Sequence, residues 1–305
     1  MTRVSLFSKS CAFLAIVASV TVAAPSSESC ESAKCPGPLS YYKSLGCTPV
    51  FKNDGDCCAS SYNCEHLMER SKEKCYVNGN EYNIGEKLRD EDANPCDIGC
   101  TCRLDYNGIA SFSCAIVDCF YGPMQPGCYQ KHSPNRCCPE IVCPENPDDR
   151  ATCEVNGKTY KDGEYFQVES DPDLNCNCMP GYKGENIEPF CKKPNRAYCA
   201  PDFRQAGDVY DHCAPVYYSS QSPQTDCSVF SRCQQDGDVV IPNSDSTDES
   251  RANDASATCV YGNLTLHLGD ELNQEDCVKC MCEVGPIPTC QRLGDEICDI
   301  TKKNA

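Results

Sequence analysis

The sequence predicts a small disulfide-rich, mostly β fold: short hairpins and loops in tandem cysteine-rich modules, with little helix. Three observations predict it. Cysteine supplies 31 of 305 residues, beside 21 Pro and 19 Gly, a density that marks a disulfide scaffold. Only 40% of residues are apolar and Trp is absent. Several stapled units are therefore expected in place of one large core, because units this small bury too little surface to hold themselves together. Finally, the cysteines fall in four blocks, and a hairpin signature recurs at the head of three of them.

Residues 1–23 are a separate object. Arg3 and Lys9 give a basic start, residues 10–20 form a short apolar run, and small residues follow at Thr21, Ala23 and Ala24. This is the pattern of a cleavable secretory signal, cut after Ala23 or Ala24 and too short to span a membrane. No later stretch is apolar enough for a transmembrane helix, so a secreted, extracellular chain without membrane insertion is expected. Cleavage removes Cys11 and leaves thirty cysteines, an even number suited to an oxidising compartment. Loss of Arg3 and Lys9 also takes the net charge from −18 to −20. Such acidity argues against nucleic acid and heparin-like polyanions and permits a basic partner. Asn263-Leu264-Thr265 is the one N-glycosylation sequon, expected in a glycoprotein of this kind.

Gaps cut the remainder into blocks. Residues 24–64 carry the first six cysteines after the signal, and 65–74 are a charged linker with the makings of a short helix. Ten cysteines follow in 75–143, then a linker over 144–152, then eight cysteines in 153–233. Residues 234–258 are acidic and small-polar, a composition that predicts a disordered tether. Residues 259–298 hold the last six cysteines, and 299–305 are a tail. Every block has an even count, so each can close on itself.

The second block opens CYVNGNEYNIGE and the third CEVNGKTYKDGE. Counted from Cys75 and Cys153, Gly79, Tyr82, Gly85 and Glu86 match Gly157, Tyr160, Gly163 and Glu164. The fourth block keeps Cys259, Gly269 and Asp270, and an apolar residue follows in all three as Leu88, Phe166 and Leu272. Asn78-Gly79 and Asn156-Gly157 are type I′ turn dipeptides, so each head is predicted to be a β-hairpin. Close cysteines follow each hairpin, and the second block ends C-x4-C-x8-C-x8-CC-x4-C. The first block has this tail pattern without a head; the fourth is a head with almost no tail.

Ten cysteines in this order, with a hairpin head, resemble the von Willebrand factor type C module, the chordin-like cysteine-rich repeat. The resemblance covers 75–143 fully, 153–233 with two cysteines missing, and the flanking blocks as partial modules. It departs from the family in lacking a Trp after the Gly-Glu of the hairpin. The family's pairing implies Cys75–Cys102, Cys96–Cys137, Cys100–Cys114, Cys119–Cys138 and Cys128–Cys143 in the second block. In the third it implies Cys153–Cys178, Cys176–Cys191, Cys199–Cys227 and Cys213–Cys233. The two absent cysteines, near Pro172 and at Asp226, are partners in that scheme. Carried to the ends, it keeps Cys259–Cys282 and Cys280–Cys290, leaving Cys277 with Cys298, and keeps Cys35–Cys58 and Cys47–Cys64, leaving Cys30 with Cys57.

Similar modules bind dimeric growth factors of the TGF-β/bone morphogenetic protein class outside cells. The resemblance thus implies an extracellular protein ligand, with Tyr82, Ile84, Leu88 and Ile98 as contact residues. Two roles stay open for these four: touching a ligand, or covering the module's own small core.

Three rival chemistries compete with this reading. Cys277-x2-Cys280-x-Cys282 has zinc-like spacing, but secretion and even counts favour disulfides, so neither metal nor cofactor is expected. Neither G-x-S-x-G, H-E-x-x-H nor a P-loop is present, which argues against an enzyme, and no catalytic residue is expected. The fourth block also resembles pacifastin-type protease inhibitors, with Arg292-Leu293 as the presented bond. A structural matrix protein is the remaining alternative.

Overall fold

The computed structural model describes residues 30, 34–171, 173–244, 258–273, 277–294 and 298. The expected signal with its cleavage point, Cys11, Pro172, residues 245–257 and the tail after Cys298 lie outside the described residues. The fold is small, disulfide-rich and mostly β. The thirty cysteines from Cys30 to Cys298 form fifteen disulfides; thirteen join the partners that the resemblance implies, and Cys30–Cys57 and Cys277–Cys298 join the cysteines it leaves over. Every bond stays inside its own block. Each stabilises by roughly 2–4 kcal/mol, chiefly by restricting the unfolded chain.

The first block gives α1 (Leu39–Leu45) and the ribbon of β1 (Thr48–Val50) with β2 (Ser61–Asn63). Gly46, at φ 72°, stops α1 in a left-handed turn that L side chains with a Cβ resist. The expected linker 65–74 then forms α2 (Glu65–Glu69). It is more than a spacer, since Leu67 is buried and Lys72 O accepts a hydrogen bond from Ala110 N at 2.7 Å.

The second block folds as three ribbons: β3 (Cys75–Val77) with β4 (Asn80–Tyr82), β5 (Thr101–Leu104) with β6 (Ala110–Ser113), and β7 (Tyr129–Lys131) with β8 (Glu140–Val142). In the third, β9 (Thr152–Val155) pairs β10 (Lys158–Lys161), and β11 (Tyr165–Phe166), β12 (Asn175–Asn177) and β13 (Cys191–Lys192) make a three-stranded sheet. Both predicted turns are two-residue loops with positive φ at both positions, 51° and 78° at Asn78-Gly79 and 51° and 74° at Asn156-Gly157. That backbone is the type I′ turn that Asn-Gly favours.

The third block continues through α3 (Pro201–Arg204) and α4 (Ala206–Tyr210) into β14 (Ala214–Tyr218) and β15 (Phe230–Arg232). Then come β16 (Val240–Ile241), the ribbon β17 (Thr258–Tyr261) with β18 (Leu264–His267), and β19 (Glu271–Leu272), β20 (Val278–Met281) and β21 (Thr289–Arg292). One six-stranded sheet, ordered β15-β14-β21-β20-β19-β16, joins the third block to the fourth, with β14 and β21 parallel. β16 corrects the reading of 234–258 as a disordered tether throughout. Val239-Val240-Ile241 supplies enough apolar chain to add a strand beside β19, and Asp238 is buried between Arg232 and Tyr261.

The cores do not respect the blocks. One contains only third-block residues, centred on Phe166 and Val168. Another takes Tyr82, Phe112 and the Cys75–Cys102 bridge from the second block and Phe203 from the third. A third collects Tyr41, Tyr42, Leu45 and Leu67 with Val209 and Val284, from both ends of the chain. The headless first block and the nearly tailless fourth block thus meet. Tyr42 Oη donates to Val284 O at 2.8 Å, and Tyr62 N donates to Gly285 O at 2.8 Å.

Candidate functional site

Asn83 follows β4 and Gly85 takes φ 85°, so the chain bends away just beyond the hairpin. This ends the strand's alternation between faces. Tyr82 turns inward, fully buried, with its ring 5.1 Å from Phe112 edge-to-face and Arg89 4.6 Å above it. Its hydroxyl donates to Asp92 Oδ2. Tyr82 is therefore a core residue, a correction to its expected place in a ligand contact. Leu88 is half-buried against the same core.

The other two expected contacts are exposed, Ile84 by 46% and Ile98 by 51%. They stand at opposite ends of a short ladder in which Gly85 N donates to Cys102 O, Cys102 N to Glu86 O, and Leu88 N to Cys100 O. The four predicted residues therefore do not form one patch.

What Ile98 meets is a segment that sequence reasoning missed. Ala115 N donates to Ile98 O at 2.9 Å, which brings residues 115–119 alongside. Ile116 is 94% exposed and Phe120 82%, with Tyr121 and Met124 also open. The adjacent cysteines Cys137-Cys138 bind Cys96 and Cys119, fixing both sides of this surface to one point. Tyr121 Oη donates to Pro139 O. The signal was present in the sequence: AIVDCFYGPM is an apolar run that lacks the alternation of a half-buried strand.

Electrostatics stiffen the base of this surface. Asp97 accepts from Arg196 Nε at 2.9 Å and Nη2 at 2.7 Å, a two-pronged pair that is largely buried. Arg196 also lies 3.8 Å over the ring of Phe203. Burial works against the charge on Asp92, but hydrogen bonds from Tyr82, Asn78 and Asn80 outweigh it and hold the carboxyl below its usual range. Desolvation, followed by the Asp92 hydrogen bond, raises the Tyr82 phenol to about 12.

The remaining sequence candidates are placed as follows. Asn263 is exposed in the two-residue turn between β17 and β18, with Thr265 also exposed. Arg292 ends β21 and Leu293 N donates to Cys277 O at 2.7 Å, so the Arg292-Leu293 bond lies within the sheet's hydrogen bonding. Asp295, Glu296 and Ile297 of that loop lie outside the described residues. Cys277, Cys280 and Cys282 are each oxidised to a disulfide, which leaves that motif no thiolate to offer a metal. No family model matches the chain, and no solved structure matches it.

Proposed function

We propose that this chain is a secreted binding protein that captures an extracellular protein ligand through its second block and so changes that ligand's access to a receptor. The ligand class is a dimeric growth factor of the TGF-β/bone morphogenetic protein type, as the resemblance to von Willebrand type C modules implies. The observation that carries the reading is the exposure of Ile98, Ile116 and Phe120 around the Cys137-Cys138 pair. Large apolar side chains left in water on a covalently pinned backbone suit a docking face, because little conformational freedom is lost on binding. The net charge, −18 for the whole chain and −20 once Arg3 and Lys9 are removed, would speed encounter with a basic ligand in a salt-dependent way.

Binding of the full secreted chain to an immobilised bone morphogenetic protein-type dimer tests the reading. Phe120→Asp and Ile116→Asp are each expected to weaken binding at least tenfold, about 1.4 kcal/mol, with unchanged disulfides and circular dichroism. Wild-type protein giving no signal at micromolar concentration would remove the ligand class; equal binding by both variants would remove the site.

A further inference from the structure

Five tyrosines are exposed: Tyr106, Tyr121, Tyr165, Tyr198 and Tyr218. Their chain environments differ, and Tyr165 is the one flanked by two exposed acids, Glu164 and Glu169. Within five residues on either side, Tyr165 has Asp162, Glu164 and Glu169 against Lys161. Tyr106 has Asp105 offset by Arg103, Tyr121 has Asp118 alone, Tyr198 has Asp202 outweighed by Lys193 and Arg196, and Tyr218 has no acid. Tyr165 is also the one of these set on an edge strand, since β11 flanks the three-stranded sheet and, among the described residues, pairs only with β12. Phe166 and Val168 are buried beneath it, which turns Tyr165, Gln167 and Glu169 outward together. Glu164 is exposed beside them, accepting from Lys161 N at 2.9 Å and 3.9 Å from Arg150, and Glu169 is exposed with them, whereas Asp162 is buried against Lys131 and contributes little charge at the surface. The Tyr165 hydroxyl makes no hydrogen bond to a described residue. Its ring borders two open grooves of about 720 and 900 Å³, which it shares with Asn175, Arg196 and Tyr198.

We propose that Tyr165 is a tyrosine O-sulfation site. A transferase that carries a sulfo group on a polyanionic nucleotide must hold that donor in a positively charged cleft, and an acidic acceptor segment complements such a cleft. An edge strand can lie in it extended, using its free backbone groups. The phenol oxygen attacks the sulfur of the donor's phosphate–sulfate anhydride. The new O–S bond forms as the anhydride S–O bond breaks, the nucleotide phosphate leaves with that electron pair, and the phenol proton passes to a base of the transferase. No oxidation or reduction is involved.

The proposal rests on the reading of the chain as secreted, and the experiment separates the two. The full chain, with its own N-terminus, is expressed in animal cells and collected from the medium. The peptide carrying Tyr165 is expected to gain the mass of one SO₃. The gain should vanish in Tyr165→Phe and in cells grown with chlorate, which blocks donor synthesis. A Glu164→Gln, Glu169→Gln double variant should lower the sulfated fraction several-fold at unchanged secretion. Secreted protein with a bare Tyr165, a gain that phosphatase removes, or sulfate on another tyrosine would overturn the site and leave the ligand-capture reading standing. A chain retained inside the cells would overturn the secretion reading and this proposal with it.

Discussion

The heads of the second and third blocks begin with the same signature, yet their cores are completed in different ways. In the third, Phe166 is buried among Val168, Cys176 and Cys178, all from the same block, and Tyr160 lies 5.7 Å from Phe166 at the edge. In the second, the equivalent apolar position holds Leu88, which is only half-buried, and the core is closed by Phe203 stacked 4.9 Å from Phe112. Phe203 belongs to the tail of the third block. The reverse contact also exists. A Cβ on Gly163, in the third block's head, would come within 2.6 Å of Lys131 Cα in the second block's tail. Disulfide bonding and core packing thus follow different boundaries: the covalent frame divides the chain into four, and the apolar surface unites it.

The strongest way to break this comparison is Phe203→Ala. Loss of a buried Phe costs about 3–5 kcal/mol, and here the loss should fall on the second block. Hydrogen exchange under non-reducing conditions should show protection lost at Ala110 and Phe112, with Phe166 unaffected. Phe166→Ala, of similar size, should loosen residues 153–191 and spare 75–114. If Phe203→Ala left the second block's protection unchanged, its head would be self-sufficient.

A smaller effect is expected from Arg196→Ala, which leaves Asp97 buried with a weaker partner. The cost should fall below the roughly 3–5 kcal/mol of a broken buried pair, because Arg204 stays within 3.6 Å of Asp97. A shift in the denaturant midpoint measures it, and no shift would show that the clamp is idle.

Acid should separate the regions more gently. The folded value of Asp92 is lowered, so its contribution is complete above the ordinary carboxylate range and is lost as pH falls through that lowered value. Asp202 behaves oppositely: burial raises it despite Arg70, so acidification relieves rather than adds cost at that joint. Asp92→Asn should therefore flatten the acid limb of stability for the second block's head. An unchanged limb would mean that Asp92 carries no net proton linkage.

The smallest effect on stability belongs to Ile84→Asp, an exposed site where the change should stay within about 0.5 kcal/mol. Thermal unfolding measures it. A larger loss would show that Ile84 packs more than its exposure indicates.

The block boundaries and the two head turns were legible in the sequence, because even cysteine counts and Asn-Gly dipeptides are local signals, whereas the pairing within each block came from the resemblance alone. The inward turn of Tyr82 was not, since strand alternation gives Tyr82 and Ile84 the same face until the bend after β4 is known. Phe203 was invisible for a different reason. A lone aromatic in PDFRQAG carries no periodicity, and its partner Phe112 lies in another block. Even cysteine counts report covalent closure and say nothing about where apolar side chains go. The same holds for Val240-Ile241, whose place beside β19 depends on a strand from the next block.

The most direct test is to cut the chain between the second and third blocks. Asp148 and Asp149 are exposed, and every disulfide lies wholly within 30–143 or 153–298. With a protease site inserted between these two residues, the nicked protein should elute as one species in native buffer. It should then part into two in denaturant without any reductant. Separation in native buffer would mean independent modules, and persistence in denaturant would mean a disulfide across the cut; either result contradicts this account.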